Sequence, residues 1–315
     1  MTPLALAVDI GGTKIAAGLV APDGTLTERR RAATPPGPSI LRAVFELARP
    51  LASRAVACGI GTAGTVGPLG RIAYATDLLT GWAGTDVKGE AERALRLPTV
   101  VLNDCHAAGA AEARVGAARG ARTALVVAIG TGIGGAICVG GRVRTGATGT
   151  VGGIGHLPAP TDAGARCSCG ALDHIEAHAS GPAIERAHLA ATGQALPLAE
   201  IGRLGSHVIS DAAALMGRVL AGAANLIAPD AIVVAGGVSL LGPVLLEPMT
   251  AAYRAEALPG PSAAPLLPAA LGEDAGLVGA GLEALAHLGP EPPSPLVEGG
   301  VPVRGIDQGG VPGAC

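Results

Sequence analysis

A pattern that occurs twice constrains this chain more than anything else in it. A short apolar run enters a bare glycine turn, and a second apolar run comes back. Residues 4–10 lead into Gly11-Gly12-Thr13-Lys14, and residues 15–20 return. Residues 123–129 lead into Gly130-Thr131-Gly132-Ile133-Gly134-Gly135, and residues 136–139 return. Each copy reads as a β-hairpin whose turn backbone is uncovered. No other internal repeat is visible, and this one divides the chain into two halves with related starts. Around the hairpins, helical spacing at 39–51 opens on Ser39 as N-cap, and 55–60 reads as a strand followed by a glycine-rich loop at 61–70. A buried strand at 99–102 precedes a helix at 107–115. Beyond a long loop at 145–170, the pattern predicts helices at 180–191 and 207–226, a strand at 231–235 ending in Gly236-Gly237, and an amphipathic helix at 275–288. Strands alternating with helices make the fold class α/β. The stretch 289–315 is rich in proline and glycine without periodicity and is expected to be disordered.

Glycine (50) and proline (25) are abundant, yet charged residues are only 15% and hydrophobic ones 49%, the balance of a folding chain. The only aromatics are Phe45, Tyr74, Trp82 and Tyr253. The core must therefore be aliphatic, and an RNA-binding surface of stacked rings is excluded. A net charge of −3 leaves no basic footprint for nucleic acid. Six cysteines over this length are not a disulfide scaffold. No apolar run reaches membrane-spanning length, and Asp9 interrupts the first one. A cytoplasmic protein without a membrane partner is expected.

Two residue groups carry phosphate chemistry. Gly11 and Gly12 let backbone N–H groups approach an anion, Thr13 and Lys14 add donors, and Asp9 at the strand end can orient a metal-bound water. The second turn repeats the glycines with Thr131. Paired at equivalent places, the two turns read as facing phosphate hairpins; the Walker A spacing is absent. Asn103-Asp104 follows a buried strand, at the carboxyl end where ligands sit in open α/β sheets. Asp104 can take a proton from an attacking hydroxyl, and the pair can equally cap the following helix.

Taken in order, DIGGTK at 9–14, Asn103-Asp104, GTGIGGA at 130–136, Gly-Ile-Gly-His at 153–156 and Cys-Ser-Cys-Gly at 167–170 resemble the ROK family of bacterial sugar kinases and sugar-responsive repressors. The resemblance runs from about residue 4 to residue 288. It implies an actin-like ATPase (ribonuclease H-like) duplication, two α/β domains flanking a cleft: 1–120 plus 275–288, then 121–274. It implies an ATP-dependent kinase with Asp104 as base and Asn103 on the sugar. Magnesium would neutralise the β and γ oxygens, and ATP would lie between Gly11 to Lys14 and Gly130, Thr131, Gly132 and Gly134, its adenosine end near Gly236-Gly237. A homodimer is expected from family habit. The repressors carry a DNA-binding domain before the first hairpin, and only eight residues precede Asp9 here, so the alternative is a catalytically degenerate sugar sensor without that domain.

The family's metal loop has the pattern C-x-C-G-x-x-G-C-x-E preceded by a histidine. Here it runs from Cys167 to Glu176 with His174 in place of the third cysteine. His156, Cys167, Cys169 and His174 are a competent ligand set for structural zinc. Glu176 keeps the family's sugar-binding carboxylate, and His156 stands at the sugar as well as the metal. The family usually has Gly-Glu-Ile-Gly-His, and here the glutamate position is Gly153. Losing one acceptor at a site built to bond a hydroxyl costs roughly 1–3 kcal/mol. Glucose itself is thus a doubtful substrate, and an amino sugar or a C7 cyclitol of secondary metabolism is expected. Asp173 is a candidate substitute carboxylate, and His106 is expected on the helix surface.

Overall fold

The computed structural model describes residues 2–75 and 79–288. The tail expected to be disordered lies outside the described residues. The strands are β1 (Ala5–Ile10), β2 (Lys14–Val20), β3 (Leu26–Ala33), β4 (Ala57–Thr62), β5 (Thr65–Val66), β6 (Ile72–Tyr74), β7 (Thr99–Asn103), β8 (Thr123–Ile129), β9 (Ile133–Val139), β10 (Arg142–Arg144), β11 (Ala231–Ala235) and β12 (Leu266–Pro268). The helices are α1 (Ser39–Ala52), α2 (Val87–Leu95), α3 (Asp104–Arg114), α4 (Glu176–Ala179), α5 (Gly181–Thr192), α6 (Leu198–Arg203), α7 (His207–Ile227), α8 (Pro243–Glu256) and α9 (Ala275–His287).

Two five-stranded sheets share one topology. The first runs β3-β2-β1-β4-β7 and the second β10-β9-β8-β11-β12. In each, the first three strands form an antiparallel meander and the last two join in parallel. Position for position, β1 corresponds to β8 and β4 to β11, so the repeated hairpin in the sequence is the start of a duplicated sheet. The strands β1, β8 and β11 are nearly continuous aliphatic runs, as strands covered on both faces must be, and β4 is buried throughout with small residues and Ile60.

The helices after the last strands are exchanged between the sheets. α3 follows β7 but lies on the second sheet, where a Cβ on Gly109 would collide with Ala136 of β9. α9 follows β12 but lies on the first sheet, with Gly59 of β4 pressed against the Ala280 carbonyl. The two helices also meet, Gly279 against the Ala107 carbonyl. No side chain fits at these crossings, which explains the glycines. Buried Glu112 fastens the junction. Its carboxylate accepts the N–H groups of Ala117 (2.8 Å), Ala270 (3.1 Å) and Leu271 (2.9 Å), so the buried acid is not left without partners. Arg114 adds donors to the carbonyls of Gly141 (2.8 Å) and Leu282 (2.7 Å).

The structure differs locally from the expectations. Ser39 is the first helical residue of α1, not its cap; Pro38 precedes it and no side chain caps the helix. The loop expected at 61–70 contains β5, which pairs with β6. The helix expected from 107 begins at Asp104, because the Asn103 carbonyl oxygen of the side chain accepts from Cys105 and His106 N–H and nucleates the turn earlier. Trp82 is buried and donates its indole N–H to Thr62 Oγ1 at 3.0 Å, which anchors its glycine-rich segment under β4. No helix among the described residues is long and apolar enough to cross a membrane.

Candidate active site

The residues singled out in the sequence sit at the carboxyl ends of parallel strands. Asp9 is the penultimate residue of β1, and Asn103 ends β7. The turns at 11–13 and 130–132 follow β1 and β8, and Gly236 follows β11. The counterpart of Asp9 in the second sheet is Ala128, so only one of the two glycine turns carries an acid.

Asp9 and Asp104 are half-buried, and Asp9 senses the Asp104 charge. Burial and the neighbouring Asp104 charge push the Asp9 carboxyl up to about 6, against a pull down from Lys14. Burial also raises Asp104, opposed by the Cys105 N–H at 2.8 Å and by Asn103. A desolvated carboxylate raised toward neutrality is a better proton acceptor than one in water. Asn103 combines two tasks. It caps α3, and its Nδ2 donates to the Gly64 carbonyl at 3.0 Å while its side chain also bonds to the Asp104 carboxylate. His106 is not on the helix surface as expected. It is buried, with Nε2 2.7 Å from the Val151 carbonyl, and burial lowers its pKa.

The first glycine turn is closed by Gly11 N–H on the Lys14 carbonyl (3.0 Å) and pinned by Thr34 Oγ1 on the Gly11 carbonyl (2.7 Å). The Lys14 ammonium lies 3.1 Å from Glu273, where Arg31 also arrives at 2.9 Å. The second turn is closed by Gly130 N–H on the Gly132 carbonyl (2.9 Å), and Gly181 at the start of α5 donates to the Gly130 carbonyl (2.8 Å). A Cβ on Gly134 would lie 2.6 Å from Cys105 Sγ, so this turn rests on the first residues of α3. Gly236, with φ of 87°, is pressed against the end of β8, where no Cβ fits.

His156, Cys167, Cys169 and His174 converge, their ligand atoms all within 4.8 Å of one another. Cys167 Sγ is 3.6 Å from His156 Nδ1, and Cys169 Sγ is 3.2 Å from His174 Nδ1. Two thiols and two imidazoles this close match the donor set and size of a tetrahedral zinc centre, so the residues fit the metal implied by the motif. Glu176 joins this loop to the second glycine turn. Its Oε2 accepts from Ile133 N–H at 2.9 Å, and its Oε1 accepts from the Ser168 hydroxyl. Asp173 is not a substitute for the acid absent at Gly153. Its carboxylate accepts from Gly164 N–H and Ala165 N–H, both at 2.9 Å, and faces His178 Nε2 at 3.0 Å, so it shapes the metal loop.

Comparison with known proteins agrees with this geometry. The ROK family model matches residues 5–287. Glucokinase of Streptomyces coelicolor is 34% identical over 307 residues, covering 88% of this chain and 96% of the relative. N-acetylmannosamine kinase of Escherichia coli O1:K1 is 34% identical over 293 residues, covering 90% and 99%. The crystal structure of a ROK family glucokinase from Streptomyces griseus, in complex with glucose and AMPPNP, is 32% identical and superimposes with a TM-score of 0.76 over 90% of this chain and 99% of that one. The duplicated sheets and these relatives together make the protein a sugar phosphotransferase of actin-like ATPase fold. Within that class, the chain belongs to the ROK family.

Proposed function

We propose that the protein transfers the γ-phosphate of ATP to the primary hydroxyl of a hexose-like polyol, with Asp104 as the base. The observation that carries this reading is the place of Asp104. It is the first residue of α3, half-buried, shifted by desolvation toward a higher proton affinity, and its neighbour Cys105 packs at Gly134, just beyond the second glycine turn. A base there takes the hydroxyl proton as the oxygen attacks phosphorus. Phosphoryl transfer otherwise demands positioning and charge stabilisation, which the backbone N–H groups of Gly12 and Thr13 in the first turn and of Thr131 and Gly132 in the second would give.

The remaining roles belong to the same reading. Asn103 is assigned to the polyol, together with His156 and Glu176 from the metal loop. Asp9 would hold the magnesium that accompanies the nucleotide, and Gly236 and Gly237 would leave room for the adenosine end. Magnesium would supply charge neutralisation on the transferring phosphate. His156, Cys167, Cys169 and His174 would hold zinc, which would fix the shape of the loop that carries Glu176. The first domain comprises 1–120 with 275–288, and the second 121–274.

Gly153 narrows the acceptor class. With no carboxylate at that position, the polyol loses one hydrogen-bond partner and gains space, which favours an amino sugar or a C7 cyclitol over glucose. A coupled ADP-release assay over glucose, mannose, N-acetylhexosamines, 3-amino-3-deoxyglucose and valiolone-type cyclitols tests the reading, with Asp104→Asn as control. At least one polyol should turn over, and Asp104→Asn should lose about 10²–10⁴-fold in kcat. Equal activity in the two proteins removes Asp104 from the role. Absence of turnover with every polyol leaves a sugar-sensing protein in its place.

A further inference from the structure

His106 lies two residues beyond Asp104 in the first turn of α3. Its backbone N–H belongs to the Asn103 cap at 3.3 Å, and its ring is buried, with 4% of the residue exposed. The ring nitrogen Nε2 sits 2.7 Å from the Val151 carbonyl oxygen. A carbonyl only accepts, so Nε2 carries the hydrogen and the tautomer of the neutral ring is fixed.

The segment held by this bond, residues 145–153, leads from β10 to the turn that bears Gly153 and His156. Gly146, Gly149 and Gly152 all have positive φ, and Gly153 adds a fourth glycine. Such a stretch has little conformational restraint of its own. Its other fastenings are close backbone contacts: Gly149 lies against the Val66 carbonyl of β5, and Gly152 against the Gly135 carbonyl of β9. The segment is therefore wedged between β5 and β9. His106 supplies a side-chain tie from the helix that begins with Asp104.

We propose that His106 is a positioning residue for the phosphoryl acceptor. The imidazole is a rigid spacer that sets the distance between the start of α3, and so Asp104, and the loop carrying Gly153. The inference rests on the reading of Asp104 as base. A misplacement of about 1 Å between base and hydroxyl is enough to cost on the order of 10²-fold in rate. The demand on the spacer is greater here because Gly153 offers the polyol no side-chain anchor.

The amide nitrogen of glutamine reaches close to where imidazole Nε2 stands, and that of asparagine falls short, so His106→Gln and His106→Asn separate the bond from the mere presence of a polar residue. Two measurements decide. The first is hydrogen–deuterium exchange of the ligand-free protein. Peptides covering 145–153 should exchange about tenfold faster in His106→Asn, stay near wild type in His106→Gln, and leave 130–135 unchanged in both. The second is steady-state kinetics with whichever of glucose, N-acetylmannosamine and a valiolone-type cyclitol the wild type turns over fastest. The acceptor KM should rise about tenfold and kcat fall in His106→Asn, with the ATP KM within twofold of wild type and recovery in His106→Gln. Unchanged exchange in His106→Asn overturns the proposal. So does an equal rise of both KM values in the two variants, the mark of a general structural defect. If Asp104→Asn stays active, the base reading fails first; if it is dead while His106→Asn behaves as wild type, only the spacer fails.

Discussion

The Lys14 ammonium lies 3.1 Å from the Glu273 carboxylate, which draws in Arg31 at 2.9 Å as well. The cation of the first glycine turn is thus already matched by an acid on the approach to α9. Incoming phosphates compete with that acid, whose pKa Lys14 and Arg31 hold down. Glu273→Gln should release Lys14 and tighten nucleotide binding by about two- to fivefold, the scale of an exposed ion pair. Titration with a fluorescent ATP analogue at low and high salt checks this. The gain should shrink as salt rises, and looser binding would mean that Glu273 orders Lys14 instead of occupying it.

Asp9 makes the ligand-free protein sensitive to pH. Its carboxyl is raised from 3.8 to about 6 by burial and by Asp104. Below about pH 4 both the folded and the unfolded chains carry the proton, and Asp9 costs nothing. As pH rises from about 4 to 6 the unfolded state gives up its proton first, so stability falls, by at most about 3 kcal/mol above pH 6. Asp9→Asn should therefore melt higher than wild type, with the gap opening between about pH 4 and 6 and level beyond. A gap of equal size at pH 4 and pH 7 would show that the charge of Asp9 is not its source.

Gly153 has φ of −66° and ψ of 50°, and a Cβ there would meet only the Thr150 carbonyl, at 3.3 Å. A glutamate can be built at this position without backbone strain. Gly153→Glu should raise kcat/KM for glucose by about tenfold, the worth of one charged hydrogen bond to a hydroxyl, and lower it for the acceptor that the wild type turns over fastest. Relative kcat/KM across the acceptor panel is the measurement, and an unchanged ranking would place the specificity elsewhere.

The four ligand atoms around His156 and Cys167 predict about one zinc per chain by elemental analysis. Cys167→Ser with Cys169→Ser should abolish it and lower the melting temperature. His174→Cys should keep the metal, since thiolate and imidazole are both competent ligands. Zinc retained by the double variant would move the ligands to other residues.

Much of this was legible in the chain because glycine turns and strand ends are written locally. Gly11-Gly12 and Gly130 to Gly135 mark their hairpins without help from distant residues, and β8 and β11 begin and end where their aliphatic runs do. What escaped depends on partners far away in sequence. His106 follows Asp104 and Cys105 in a segment that reads as polar, and only Val151, forty-five residues on, makes it an interior group. Asp173 looked like a spare acid for the polyol until the N–H groups of Gly164 and Ala165 claimed it. α8 was invisible because Pro243 and Pro248 punctuate it. Pro243 sits in the first turn, where it is tolerated, and packing carries the helix past Pro248. The start of α3 was misplaced because the apolar spacing begins at Ala107, three residues after the Asn103 cap takes effect.

The exchanged position of α9 has a consequence for biosynthesis. One layer over the opening strands of the chain is made from residues far downstream of them, with Gly59 awaiting Ala280 and Val20 awaiting Gly281. A nascent polypeptide halted before residue 275 keeps that aliphatic surface bare. The amino-terminal half cannot mature before α9 has been made, and a premature stop anywhere upstream of α9 leaves its sheet uncovered.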